Sequence, residues 1–192
     1  LFDHMTASGL WEETDIYLTS DHGEEFYDHG MYFHRNVPYD ELLHVPLLTN
    51  LADGAETPAT VTEDRQLLDL APTICARHGV DVEGLPCEGR DLFAGGDRQV
   101  IASGSAAIDD SAVVAGRWDG WKYIHAEGET SLYDLDADPG EQVSVVADNP
   151  EVVAEFESTI PDALFETESA GTRTPDDEVD REQLEALGYI EV

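Results

Sequence analysis

Between Val100 and Tyr133 the chain makes four short β-prone runs: Val100-Ile101-Ala102, Ala112-Val113-Val114-Ala115, Trp121-Lys122-Tyr123-Ile124 and Ser131-Leu132-Tyr133. Gly- or Asp-containing turns separate them, the signature of an antiparallel meander. Asp119-Gly120 is a good hairpin turn. Helical spacing resumes from about Pro150 to Phe165. The polar stretch from Gly171 to Asp180 reads as a linker and Glu182 to Leu187 as a short terminal helix.

The first half has a different texture. Leu1, Met5 and Leu10 fall on a helical period that Gly9 ends or loosens. A β-prone run from Thr14 to Ser20 follows, stopped by Asp21-His22-Gly23. A strand that delivers polar residues at its C-terminal end is where open α/β sheets place their chemistry. A polar, aromatic loop from Glu24 to Tyr39 carries His29 and His34, and Val45 to Thr49 reads as a second buried strand. From Thr62 to His78 the spacing of Leu67, Leu70, Ala71 and Ile74 predicts an amphipathic helix stopped at Gly79, with a kink or break at Pro72.

Charge excludes whole classes of function. The 192 residues hold 43 Asp and Glu against 9 Lys and Arg, a formal net charge of −34, and Lys122 is the sole lysine. Nucleic acid and anionic membrane surfaces need clustered cations, so both are excluded as partners. The acidic residues run from Glu12 to Glu191 without a dominant block, so the bias belongs to the whole surface. Self-repulsion of this size is screened at high salt, which implies a salt-adapted source. Cys75 and Cys87 read as reduced and structural, and no run of some 18 apolar residues offers a membrane span. The opening on Leu1 suggests a piece of something longer, with any export signal upstream and a cytoplasmic location favoured.

The dense constellation is Ser20-Asp21-His22-Gly23 with His29 and His34. A chain turning sharply through Gly23 can aim a carboxylate and an imidazole at one point. That donor pair suits a divalent metal from zinc to manganese and, less typically, calcium. An Asp capping a turn beside a solvent-facing His is the competing reading.

Thr19-Ser20-Asp21-His22-Gly23-Glu24, Asp28-His29-Gly30, His34, Tyr39-Asp40-Glu41-Leu42 and Val45-Pro46-Leu47 together resemble the second conserved segment of the sulfatases, in the alkaline phosphatase superfamily. Asp69-Leu70-Ala71-Pro72-Thr73, with Gly79 and Gly89, resembles the helix that follows. Lys122-Tyr123-Ile124, Leu132-Tyr133-Asp134-Leu135 and Asp138-Pro139-Gly140-Glu141 resemble the family's C-terminal subdomain, and Gln183 to Tyr189 a common family ending.

The resemblance implies an α/β, alkaline phosphatase-like sulfatase fold. Residues 1–95 would be the C-terminal part of the catalytic domain and its large mixed sheet, 96–170 an antiparallel-sheet and helix subdomain, and 171–192 linker and terminal helix. Asp21 and His22 fall on the pair that binds the active-site divalent ion, calcium above all, with manganese or zinc as alternatives. His34 falls where the family places a Lys or His that touches the sulfate or helps the leaving group depart; an imidazole can donate that proton near neutrality. His29 is expected to order its loop, His44 to be structural, and Tyr39 and Glu41 to pack and anchor. The implied substrate is a small-molecule or glycan sulfate ester.

One departure matters. Sulfatases attack with a formylglycine made from Cys or Ser in a C/S-x-P-x-R motif, and neither Cys75-Ala76-Arg77 nor Cys87-Glu88-Gly89-Arg90 supplies it. The chain therefore reads as the C-terminal portion of a sulfatase-like hydrolase, without its nucleophile segment and inactive alone. A phosphoesterase or phosphotransferase of the same superfamily and a noncatalytic module are the alternatives. Without sheet neighbours the first part is expected to expose apolar edges and to self-associate.

Overall fold

A computed structural model of the chain describes residues 1–30, 32–33, 37–52, 60–82, 88–96, 98–105 and 111–166. His34, Cys87, the expected linker and the expected terminal helix lie outside these residues. The described part is mixed α/β. Its elements are α1 (Phe2–Ala7), β1 (Ile16–Leu18), β2 (Glu25–Phe26), β3 (Tyr32–Phe33), α2 (Asp40–Leu43), β4 (Leu48–Asn50), α3 (Leu70–Arg77), β5 (Val100–Ser105), β6 (Ala112–Trp118), β7 (Trp121–Ala126), β8 (Glu129–Asp134) and α4 (Pro150–Thr159).

Strands β5 to β8 form the antiparallel meander that their spacing predicts, in the order β5-β6-β7-β8. Asp119 and Gly120 both take positive φ, +52° and +79°, the type I′ geometry whose twist matches the flanking strands. Glu127 and Gly128 repeat that geometry between β7 and β8, a turn the sequence reading passed over. The register sets Arg117 opposite Lys122 and Lys122 opposite Tyr133, which places these three on one face of the sheet.

That face also buries Ala115, Ile124 and Tyr133, and the other face carries the larger apolar cluster. Val114, Trp118, Tyr123 and Leu132 pack with Phe156 and Ile160. Gly116 makes room for this: a Cβ there would stand 2.8 Å from both the Phe156 and Trp118 rings. Phe156 stacks on Trp118 with ring centroids 3.7 Å apart, and burying a ring of this kind stabilises by about 1.5–3 kcal/mol. Pro150 opens α4 at a position where a missing N–H costs nothing. The helix stops at Thr159, short of the expected Phe165, because Pro161 forces Ile160 into extended backbone.

The helix expected over 62–78 is shorter as well, with a single 3-10 turn over Leu67–Asp69 leading into α3. No kink forms at Pro72, because the proline falls in the first turn of α3, where its absent N–H has no intrahelical acceptor to lose. Asp69 is fully buried at this start and accepts from the Gln66 and Arg90 amides at 2.9 and 2.8 Å and from Arg98 Nη1 at 2.6 Å. At the other end of α3, Arg77 Nε donates to Asp15 Oδ2 at 2.9 Å, tying the helix to the chain entering β1. Strands β1 and β4 pair antiparallel, with Ile16 opposite Asn50 and Leu18 opposite Leu48. Strand β4 begins at Leu48, beyond Pro46 and later than the expected Val45.

Candidate functional site

Strand β1 ends at Leu18, and the chain turns outward through Ser20, Asp21, His22 and Gly23. Local bonds shape the turn. Ser20 Oγ donates to the His22 carbonyl at 2.7 Å, and the His22 amide donates to Asp21 Oδ1 at 3.1 Å. Backbone amides and the neighbouring imidazole hold the Asp21 carboxyl below the usual carboxylate range, so it is an anion at neutrality. The Gly23 carbonyl, with Asp21 adding its charge, shifts His22 upward. His22 Nδ1 stands 2.6 Å from that carbonyl. A ring that donates from Nδ1 carries its lone pair on Nε2 when neutral, one of the two tautomers through which a histidine can bind a metal.

Gly23 fixes where this turn sits. Its amide donates to the Leu42 carbonyl of α2 at 2.8 Å, and a Cβ at Gly23 would lie 1.8 Å from the Glu41 carbonyl oxygen. Only glycine allows the two backbones to approach so closely. Asp21 and His22 thereby stand exposed on the rim of a cavity of about 780 Å³, walled by leucines that include Leu42, Leu48, Leu67 and Leu92. A carboxylate oxygen and an imidazole nitrogen are donor types that divalent metals accept. Among the described residues no group of three His, Cys, Asp or Glu side chains could hold an ion. Asp21 and His22 lie side by side on this exposed turn, and His34 lies outside the described residues.

Between this turn and α2 the chain makes the hairpin β2–β3, in what the sequence reading leaves as loop. His29 stacks on Tyr39 at 3.6 Å, with Nδ1 2.5 Å from Glu41 Oε1 and Nε2 3.0 Å from the Glu141 carbonyl. Burial pulls the His29 pKa down, but Glu41 and Glu141 more than offset it and the shift is upward.

Behind α2 lies a charged cluster that the sequence reading missed. Lys122 is 1% exposed, its Nζ 2.6 Å from Asp40 Oδ1 and 3.1 Å from Glu141 Oε1. The second contact is an ion pair by distance, outside hydrogen-bond geometry. Arg117 pairs with the other Asp40 oxygen and reaches Asp64 Oδ2 at 3.2 Å. Burial would raise Asp40, but Lys122 and Arg117 outweigh it and hold the carboxyl low. For Glu141 burial wins, and its pKa is raised despite Lys122. The available sequence signal was a sole lysine flanked by two aromatics inside a strand of a chain with 43 acidic residues.

The Sulfatase family model matches residues 1–80. Arylsulfatase K of Xenopus laevis is 29% identical over 178 residues, which cover 81% of this chain and 32% of that protein. Choline-sulfatase of Rhizobium meliloti (strain 1021) is 29% identical over 158 residues, 78% of this chain and 30% of that protein. Among solved structures, a 2-O GAG sulfatase superposes with a TM-score of 0.69 over 96% of this chain and 41% of its own length, at 20% identity. The chain spans about a third of the length of the curated relatives it matches. The fold is the alkaline phosphatase-like fold of sulfatases.

Proposed function

We propose that this is a sulfatase-family chain and the C-terminal portion of a metal-dependent hydrolase of sulfate esters. The observation that carries this is the pairing of Asp21 and His22 at the end of β1, inside the segment that matches the Sulfatase family model. In this reading the nucleophile comes from a segment outside these 192 residues, residues 1–95 belong to the catalytic domain, and 96–170 form a subdomain packed on it.

Asp21 and His22 would hold the ion, Asp21 through its carboxylate and His22 through Nε2. Calcium is the ion the resemblance implies, and the imidazole donor also suits manganese or zinc. A bound divalent ion supplies positive charge that neutralises ester oxygens and orients the attacking group. The protein's own part is to keep Asp21 ionised and His22 in the right tautomer, which the turn's amides and the Gly23 carbonyl do. His34 is the proposed general acid, donating its ring proton to the departing ester oxygen.

A small-molecule or glycan sulfate ester is the proposed substrate. Choline-sulfatase is a relative whose name specifies a small sulfate ester, and one solved neighbour at 22% identity is in complex with its substrate, D-glucosamine-2-N,6-O-disulfate. The test is turnover of a nitrophenyl sulfate by the full-length protein, beside the corresponding phosphate. Preference for the sulfate supports the reading, and preference for the phosphate assigns the protein to phosphoester hydrolysis instead.

A further inference from the structure

His29 has an acceptor against each ring nitrogen. Glu41 Oε1 stands 2.5 Å from Nδ1, and the Glu141 carbonyl stands 3.0 Å from Nε2. A neutral imidazole has one N–H and satisfies one of these contacts, turning a lone pair on the other; the imidazolium satisfies both. Nε2 also meets a donor. The Gln142 side-chain nitrogen lies 3.3 Å from it, with one N–H given to the Gly140 carbonyl at 2.7 Å and the second left to reach the ring or the Asp28 carbonyl, 3.5 Å away. With its proton, Nε2 bonds the Glu141 carbonyl; without it, the lone pair accepts from Gln142 and repels that carbonyl. One cluster thus holds two arrangements that differ by one proton.

The ring is surrounded from three sides. Its own segment brings Asp28, and α2 brings Glu41 and Tyr39, which stacks on the ring at 3.6 Å and whose hydroxyl burial keeps protonated. Tyr133 of β8 packs edge-on against Tyr39. The loop after β8 brings Glu141, whose carboxylate faces Lys122 of β7 and accepts from the Asp40 amide. Burial works against a charged ring, but Glu41 and Glu141 outweigh it and the His29 pKa is raised.

The proton holds strained backbone. Glu141 is 2% exposed and sits at φ +52°, in the left-handed region that side chains other than glycine rarely occupy. Such a conformation persists only while its surroundings over-determine it. On the other side of the contact, Phe26, Tyr27 and Tyr32 of hairpin β2–β3 are each more than half exposed, so burying them adds little to the hairpin's attachment.

We propose that His29 is a proton-operated pin: as imidazolium it ties the Glu141 backbone to α2 and to hairpin β2–β3, and as neutral imidazole it passes Nε2 to Gln142 and releases the Glu141 carbonyl. The held state belongs to lower pH and the released state to higher pH. Helix α2 supports the pin through Glu41 and the turn of Asp21 and His22 through the Leu42 carbonyl, one residue apart. The pin needs neither substrate nor ion, so it stands or falls apart from the proposed reaction.

The test is hydrogen exchange of the full-length protein, read by mass spectrometry in constant high salt from about pH 5.5 to about pH 9, an interval that brackets an upward-shifted histidine. Each rate is divided by the intrinsic rate at that pH, and α4 serves as the internal reference. Expected in the wild type is a fall in protection of about 10-fold over residues 25–30 and 140–143 as pH rises, beyond any change in α4, the size that losing one charge-assisted hydrogen bond gives. His29→Gln keeps an N–H for the Glu141 carbonyl and cannot titrate, so its protection over both segments should not depend on pH. Gln142 is exposed, and Gln142→Ala removes the donor that favours the neutral ring, so the midpoint should move to higher pH. Glu41→Gln should move it to lower pH. A wild type without the step overturns the pin, and so does a step of equal size in α4 or in His29→Gln. A midpoint that Gln142→Ala leaves in place overturns the handover to Gln142. If His29→Gln does not fold, the wild-type step and the opposite shifts in Gln142→Ala and Glu41→Gln decide the matter.

Discussion

The Gly23 amide donates to the Leu42 carbonyl at 2.8 Å, so the turn bearing Asp21 and His22 is docked on α2 backbone to backbone. No side chain fits between them, because a Cβ at Gly23 would overlap the Glu41 carbonyl oxygen at 1.8 Å. Gly23→Ala must push the turn away from α2. The expected loss is about 2–4 kcal/mol, read as a lower denaturant midpoint of the full-length protein, with loss of activity beside it. An unchanged midpoint would show that the docking is looser than the structure has it.

Lys122 faces Asp40 and Glu141 from a site closed to water. Lys122→Met leaves Glu141 without its cation and Asp40 with Arg117 alone, and removing one partner of a buried ion pair costs about 3–5 kcal/mol. Adding Glu141→Gln to Lys122→Met should restore part of that loss, because one uncompensated charge is then gone. Chemical denaturation of the single and double variants measures this; a double variant no more stable than Lys122→Met contradicts it.

His29 predicts a pH dependence. Its folded pKa lies above the ordinary 6.5, held up by Glu41 and the Glu141 carbonyl against the opposing effect of burial. A histidine raised in this way adds stability that is fully present below its unfolded pKa and is lost as pH climbs through the folded value. Stability should therefore decline as pH rises above about 6.5 and through the raised folded value, and the decline should shrink in Glu41→Gln, which removes the carboxylate facing Nδ1. Melting temperatures of both proteins across that interval test this; identical slopes would remove His29 as the cause.

The net charge of −34 predicts a demand for salt. With so few cations to offset the acidic surface, screening should stabilise the fold strongly between about 0.1 M and about 3 M potassium chloride. Equal melting temperatures at the two concentrations would refute a salt-adapted origin.

Much of the fold was legible because its signals are local. Alternation and the Asp119-Gly120 turn specify the meander, and β1 stops where the polar turn begins. What misled the reading was context. Pro72 marks a kink only if the helix starts well before it, and the helix starts at Leu70. The charged cluster was illegible for another reason: Asp40, Lys122 and Glu141 are far apart in sequence and meet only when α2 packs on the sheet. A lone lysine in a strand looks like a solvent-facing residue until register turns it inward beside Arg117. Asp21 and His22, by contrast, are neighbours in the chain, so they can be nominated as one candidate site without knowledge of the fold.

In the proposed function Asp21 and His22 hold a divalent ion required for sulfate-ester hydrolysis. The most direct measurement is elemental analysis of the full-length protein and its Asp21→Ala and His22→Ala variants, purified alike in high salt so that weak binding to the acidic surface is washed out. A stoichiometric divalent ion is expected in the wild type, lost from both variants together with turnover of a nitrophenyl sulfate. Variants that keep both the ion and the turnover would contradict it.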